Sequence, residues 1–183
     1  NRPEFHRRVF SMAWRYRWAE PRHHLNWRFD LLDLNYVYMP WISETFKRDY
    51  LDDADNRNAI LRYNYEDIFI MKMGFGLTYS DEVDAFRLNV ESSGNLLSAF
   101  SKALNFKINS QGQRTFINIA YAQYAKADFD YTHLVRFDDR NVLALHAGIG
   151  VAYPYGNSKV LPFEKRYFSG GANSVRGWGV REL

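Results

Sequence analysis

The residues whose types and spacing could do chemistry lie together near the C-terminus. In "RYFSGGANSVRGW" the glycine pair Gly170 and Gly171 precedes an arginine, Arg176, that stands between Val175 and Gly177. A phosphate-binding loop needs G-x-x-x-x-G-K-[ST]. Here five residues separate Gly171 from Gly177, and no Lys-Ser or Lys-Thr follows. The dinucleotide fingerprint is absent as well, so the segment predicts no cofactor.

Two interpretations of Arg176 remain open on the residues alone. In the first, Gly170 and Gly171 form a turn with positive φ angles, and Arg176 is solvated beside it. In the second, Val175 and Trp178 hold the segment against an apolar surface, so that Arg176 reaches a carboxylate. A guanidinium suits such a partly dry, bidentate contact better than an ammonium does.

Other candidate sites carry weaker signals. The histidines His23, His24, His133 and His146 lack the spacing of metal ligands. The acidic group Asp52, Asp53 and Asp55 lacks the central Gly and terminal Glu of a calcium loop. A Ser-His-Asp arrangement needs convergence in space, which a sequence does not display. We therefore predict no catalytic residue and no metal ligand.

Composition excludes several function classes. Among 183 residues, 24 are basic and 21 acidic, for a net charge of only +3, so the composition gives no indication of nucleic-acid binding, which needs a clustered basic surface. Cysteine is also absent, which excludes disulfides, zinc thiolate sites and cysteine nucleophiles. Aromatic residues make up 17% of the chain, an excess that favours strands over helices.

Alternation with period two is the dominant pattern. In residues 9–19, large apolar side chains such as Trp14 and Trp18 alternate with polar ones such as Arg15 and Arg17. Six stretches behave in this way: 9–19, 24–31, 67–80, 85–92, 116–137 (less cleanly) and 141–153. Several reach the roughly 9 to 11 residues that a tilted strand needs to cross a bilayer, which favours a transmembrane barrel over a soluble sandwich.

The connections between these strands support the same architecture. Short turns ("EPRH", "SDEVD", "DDRN") alternate with long connections at 39–61, at 96–115 and after residue 154. Outer-membrane barrels have short periplasmic turns and long external loops. We expect short helices in two long loops. One starts at the N-cap Ser43, with Ile42, Phe46 and Tyr50 on one face, and the other has Leu96, Phe100, Ala103 and Leu104 on one face.

The C-terminal segment resembles a known family. "LPFEKRYFSGGANSVRGWGVREL" is similar to the sixth external loop of the BamA/TamA superfamily of outer-membrane barrel-assembly factors, also called the bacterial surface antigen family. Val175, Arg176 and Gly177 match its V-R-G-[FY] tip, and Trp178 replaces the usual Phe or Tyr with another aromatic residue. The resemblance implies that this loop folds back into the lumen, where Arg176 contacts an acidic residue of a later strand.

The resemblance also implies a fold class and a domain organisation. We expect an all-β, antiparallel transmembrane β-barrel of sixteen strands, of which this chain supplies about six. Residues 1–183 would form a partial barrel domain, with 155–183 as the external loop that carries Val175 to Trp178. Six strands do not close a membrane barrel, and open edges in lipid are costly, so we expect the chain to be part of a larger protein.

By the same resemblance, the expected location is the bacterial outer membrane. The expected function is the non-enzymatic assembly or insertion of outer-membrane proteins, without a cofactor. Expected partners are outer-membrane lipids, unfolded outer-membrane protein clients and further assembly-complex subunits, with no nucleic acid. Two alternatives stay open: a two-partner-type protein secretion pore, and a barrel that anchors a surface enzyme.

Overall fold

Six long antiparallel strands form one meandering sheet. The computed structural model describes residues 5–48, 65, 67–101, 103 and 105–169. Each strand of the large sheet pairs with the next one along the chain, in the order β1-β2-β3-β4-β7-β8. The strands are β1 Phe5–Glu20, β2 Leu25–Ile42, β3 Ile68–Ser80, β4 Asp84–Ser93, β7 Tyr124–Arg136 and β8 Val142–Pro154, with a small hairpin of β5 Thr115–Phe116 and β6 Ile119–Ala120. The predicted all-β antiparallel fold is confirmed.

The second strand is longer than predicted. Alternation breaks at Leu31, where the prediction ended the strand, but β2 continues to Ile42. The pairing with both neighbours slips near this point, because Asp30 pairs with Gly74 whereas Asp33 pairs with Lys72. Such a β-bulge adds one residue and reverses the alternation beyond it. Asp30 and Asp33 therefore lie on the same face although they are three residues apart.

The fifth predicted strand, 116–137, is two structures rather than one. Its first part is the β5–β6 hairpin, in which Ile117 and Asn118 form the turn with φ angles of 52° and 62°. Positive φ at both central residues is typical of a tight hairpin turn, which reverses the chain. The long strand β7 begins only at Tyr124. The uneven alternation before that point reflects this reversal.

One face of the sheet is a continuous apolar band. A single row of cross-strand neighbours runs through all six strands as Trp18, Trp27, Leu77, Leu88, Phe129 and Ile149. Large side chains of this face stay exposed, with Trp14 at 69% and Ile149 at 67%. A lipid-facing barrel wall presents such a band. Within the described ranges, no helix is long and apolar enough to cross a bilayer.

The predicted alternation of short and long connections is confirmed. Residues 21–24, 81–83 and 137–141 make the tight connections at one end, which we call the short-turn end. In one of them, Asp81 accepts hydrogen bonds from the backbone N–H groups of Asp84 (2.6 Å) and Val83 (2.8 Å). These donors and the Tyr79 hydroxyl lower the pKa of Asp81 to about 2, so this turn keeps its charged cap at neutral pH.

The two predicted loop helices are present in shortened form. Ser43 caps α1 (Glu44–Phe46), where its Oγ accepts a hydrogen bond from the Phe46 N–H at 3.1 Å, as predicted. In α2 (Asn95–Ser101) the predicted apolar face is not the buried one, because the buried residues are Leu97 and Ser101. Ser101 turns inward since its hydroxyl accepts a hydrogen bond from Arg114 Nη1 at 2.7 Å. Leu96, Phe100 and Ala103 are exposed, while Tyr50 and Leu104 lie outside the described residues.

The large sheet is open along both edges within the described part of the chain. β1 and β8 each have one partner strand and do not pair with one another. The six strands thus form part of a barrel wall. Opposite the apolar band is a polar face, whose half near the long loops is covered by residues 115–123 and 155–167.

Candidate functional site

The predicted tip lies beyond the described residues, but the segment that leads to it packs on the polar face. Gly170, Gly171 and Val175 to Trp178 all fall after Ser169, where the described part ends. The preceding residues 155–169 follow β8 directly, and we call them the inner segment. The structure therefore shows how the chain approaches the predicted motif.

Three residues of the inner segment contact three different strands. Glu164 Oε1 accepts a hydrogen bond from Arg7 Nη2 on β1. Lys165 Nζ lies 3.2 Å from Glu91 Oε1 on β4. The Tyr167 hydroxyl donates to Asp128 Oδ1 on β7. The inner segment thus crosses the polar face from one edge strand to the other side of the sheet.

These contacts require that the sheet is concave on its polar face. Arg7 is on β1, the first of six strands, whereas Tyr167 also packs on β8, the last. Across a flat sheet, five strand spacings amount to about 24 Å. Residues 164–167 span at most about 10 Å of extended chain, so even long side chains reach both sides only if the strands curve round them.

Glu91 is the centre of the charged contacts. Lys72 Nζ lies 3.0 Å from Glu91 Oε2, and the Tyr124 hydroxyl donates to Glu91 Oε1 at 3.2 Å. With Lys165 the carboxylate has three partners, on β3, on β7 and in the inner segment. Tyr124 is fully buried, and only 18% of the Lys165 side chain is exposed. Burial lowers the pKa of Lys165, and the charge of Glu91 opposes this effect only in part.

The ion pairs continue from Glu91 across the polar face to β1. Lys72 Nζ is 3.5 Å from Asp33 Oδ2, which also accepts a 2.9 Å hydrogen bond from Arg15 Nη2. Arg15 Nε in turn lies 3.2 Å from Asp30 Oδ1. Because the bulge in β2 puts Asp30 and Asp33 on one face, Arg15 bridges both. The result is a network that joins β1, β2, β3 and β4 to the inner segment.

Tyr167 packs where β8 lacks a side chain. A Cβ atom on Gly150 would lie 2.5 Å from the Tyr167 ring, closer than any side chain tolerates. Lys126 Nζ lies 4.2 Å from the centre of the same ring, a cation–π distance. Burial, followed by the hydrogen bond to Asp128, raises the pKa of Tyr167. Gly150 therefore creates the space in which the inner segment meets the wall.

Polar contacts also fasten the start of the inner segment to the β4–β7 connection. Asn157 Nδ2 donates to the carbonyl oxygens of Arg114 and Tyr121, both at 2.9 Å, and Asn157 Oδ1 accepts from the Arg114 N–H at 2.6 Å. Below them a small apolar cluster of Ile70, Ala122 and Tyr124 packs with Ile68 and Leu161. The two long connections are thus one packed layer.

The histidines considered from the sequence lie in separate two-residue contacts. His133 Nδ1 lies 2.8 Å from Asp84 Oδ1, and His146 Nε2 lies 3.5 Å from Asp130 Oδ1. Among the described residues, no three His, Asp or Glu side chains are placed to hold a metal ion. The acidic group Asp52, Asp53 and Asp55 lies outside that part of the chain.

Sequence reasoning missed the residues that hold the inner segment. Alternation placed Lys72 and Glu91 on the polar face correctly, but gave no sign that they meet Lys165. Asp33 was not predicted to lie on the polar face, because the predicted strand ended at Leu31. A second run of alternation, Leu32, Leu34, Tyr36 and Tyr38, was the available signal for the bulge.

Comparison with known proteins agrees with this architecture. No curated protein and no solved structure matches the chain. A family model described as the Omp85 superfamily domain matches residues 25–183. This range includes five of the six strands, the inner segment and the predicted tip, while β1 pairs with β2 along its length. The chain belongs to the Omp85 superfamily.

Proposed function

We propose that this chain is the middle part of a BamA/TamA-like barrel that assembles other proteins into the bacterial outer membrane. Omp85 proteins are outer-membrane proteins that insert or secrete proteins and are not enzymes. The observation that supports a BamA/TamA-like role in particular is the inner segment. It lies on the polar face and precedes Val175 to Trp178 in the chain. A loop held there is placed to support the barrel wall from inside.

The proposed mechanism is mechanical. A barrel wall opens at a seam, and the backbone N–H and C=O groups of the exposed edge pair with an incoming client strand. The inner segment would brace the wall through Glu91 and Asp128 while the seam moves. Arg176 would add one more contact, to an acidic side chain of a later strand. Lipids and unfolded outer-membrane protein clients are the partners of this proposal.

The test is Arg176→Ala in the complete protein, in cells that depend on it. We expect lower levels of folded client proteins and a lower melting temperature of the barrel, because a partly dry guanidinium contact is lost. Arg140→Ala, in the turn between β7 and β8, is the matched control. Unchanged client levels and an unchanged melting temperature in Arg176→Ala would contradict the proposal.

A dedicated secretion pore predicts a different result. In that case a single client would fail to reach the surface, whereas other outer-membrane proteins would remain folded. Quantitative comparison of all outer-membrane proteins in depleted cells separates the two functions. A broad loss supports assembly, and a loss confined to one secreted protein supports secretion.

A further inference from the structure

A basic cavity lies on the polar face at the short-turn end, on the half that the inner segment leaves open. Its volume is about 610 Å³, within the range of ligand-binding clefts. The lining includes three arginines and no acidic residue, and its charged and amide members are Arg17, Arg28, Arg87, Asn26 and Asn89. The local charge is therefore strongly positive in a chain that is almost neutral overall.

The backbone register forces two of these arginines together. Arg17 on β1 and Arg28 on β2 are direct cross-strand partners. Like charges in this position destabilise a sheet. Arg28 turns away across β3, where Gly76 leaves room, and its Nη2 donates to Asn89 Oδ1 on β4 at 2.9 Å. A Cβ atom on Gly76 would lie 3.2 Å from the guanidinium, a tight contact that would push the Arg28 side chain by a few tenths of an ångström.

Nearby carboxylates do not neutralise the cluster. Asp30 lies 3.5 Å from Arg28 Nε but 3.2 Å from Arg15 Nε, so it is shared. Asp130 stands opposite Arg87 in the β4–β7 register, yet its Oδ1 lies 3.5 Å from His146 Nε2 and forms no ion pair with Arg87. Among the described residues, Arg17 and Arg87 form no ion pair. Two exposed guanidinium groups therefore point into the cavity with their donors available.

We propose that this arginine cavity binds the carboxylate side chains of an extended client polypeptide at the entrance of the lumen, an inference that rests on the proposed function. Charge complementarity identifies the partner. Guanidinium groups bind carboxylates bidentately, and arginines on β1, β2 and β4 are spread over several strands, as an extended peptide with acidic side chains requires. An acidic segment would also relieve the repulsion between Arg17 and Arg28.

The test measures binding of a fluorescent ten-residue peptide of alternating Glu and Ser to the complete protein in nanodiscs. A matched peptide of Gln and Ser is the uncharged probe. We expect the Glu peptide to bind more tightly, and each of Arg17→Gln and Arg87→Gln to weaken it by about threefold to tenfold. Arg140→Gln is the control variant. Retention of the heat-stable folded form on gels shows that each variant barrel is intact.

Three outcomes would overturn the inference. These are equal affinity for the two peptides, binding that is insensitive to Arg17→Gln and Arg87→Gln, and displacement of the Glu peptide by inorganic phosphate at similar concentration, which indicates a small-anion site instead. Client assembly by the wild-type protein is measured in parallel. If assembly is normal and the Glu peptide shows no preference, the cavity inference fails while the proposed function stands. If assembly is absent, the proposed function fails by itself.

Discussion

At the scale of single residues, one carboxylate joins the wall to the inner segment. Glu91 receives Lys72, Lys165 and Tyr124, which come from three separate parts of the chain. The Glu91 side chain is 19% exposed. A partly buried acceptor with several charged donors stabilises more than the same contacts on an exposed surface, because removal of its charge leaves two ammonium groups facing each other. Lys165 would then lose the ion pair that holds it on the polar face.

We predict that Glu91→Gln loosens the inner segment. Lys165 and Arg166 are both trypsin sites, so cleavage after them reports how often the segment leaves the wall. Loss of about 1.5 kcal/mol from the charge-assisted contacts should speed cleavage about tenfold under conditions where opening equilibrates. Mass spectrometry of the fragments from the complete protein in detergent gives the rate.

The control for this experiment is Glu82→Gln. Glu82 is an exposed carboxylate in the turn between β3 and β4, at the opposite end of the sheet. Its loss should leave cleavage near Lys165 unchanged. If Glu91→Gln and Glu82→Gln give the same rate as the wild type, the role assigned to Glu91 is wrong.

At the scale of elements, the bulge in β2 decides which side chains enter the network. Before it, even-numbered residues such as Arg28 and Asp30 face the polar side. After it, odd-numbered residues such as Asp33 do so. One extra residue thus allows two carboxylates to approach Arg15 from the same strand.

We predict that deletion of Leu34 prevents folding of the barrel, whereas deletion of Leu31 is tolerated. Leu31 is the extra residue of the bulge, so without it Asp30, Leu32 and Asp33 alternate regularly and keep their partners on β1 and β3. Loss of Leu34 either reverses the faces of the residues that follow or removes the bulge and turns Asp33 towards the lipid side, where a charge costs several kcal/mol. Leu31 is 49% exposed, so loss of its side chain should change stability by about 1 kcal/mol or less. The shift of the folded form on unheated gels distinguishes the two variants. A folded Leu34 deletion variant would show that the bulge does not set the register.

At the scale of the whole molecule, the two ends of the sheet differ in kind. One end has only tight turns, such as the one capped by Asp81, and the other carries the packed layer of long connections. The distribution agrees with barrels whose short turns face the periplasm. In that orientation the arginine cavity would lie at the periplasmic entrance and the inner segment towards the cell surface.

We predict this orientation for the protein in intact cells. These 183 residues contain no cysteine, and labelling of the unsubstituted protein gives the background to subtract. Gln111→Cys, in the long β4–β7 connection, should react with a membrane-impermeant maleimide, and Arg140→Cys, in a short turn, should react only after the outer membrane is permeabilised. Both side chains are exposed, so accessibility depends on the membrane alone. Labelling of Arg140→Cys in intact cells would reverse the orientation.

The sequence by itself determined the strands, their faces and the order of short and long connections. These features are local, because period-two alternation and turn residues are read within a few positions of each other. Wherever a local pattern was interrupted, the prediction was wrong: one strand was ended too early at Leu31, and residues 116–137 were predicted as one strand although β7 begins only at Tyr124. The apolar face predicted for α2 is not the buried one for a related reason, since a contact with the distant Arg114 turned Ser101 inward.

Only the tertiary structure decided which polar residues meet. Glu91, Lys72 and Lys165 are spread over more than 90 positions of the chain, and alternation says nothing about partners at that separation. Their meeting depends on the curvature of the sheet and on the space above Gly150, both of which arise from packing between strands. The role of Val175 to Trp178 stays a prediction, because these residues lie beyond the described part of the chain. The structure shows instead that residues 163–167, which precede them, pack on the wall through contacts between distant strands.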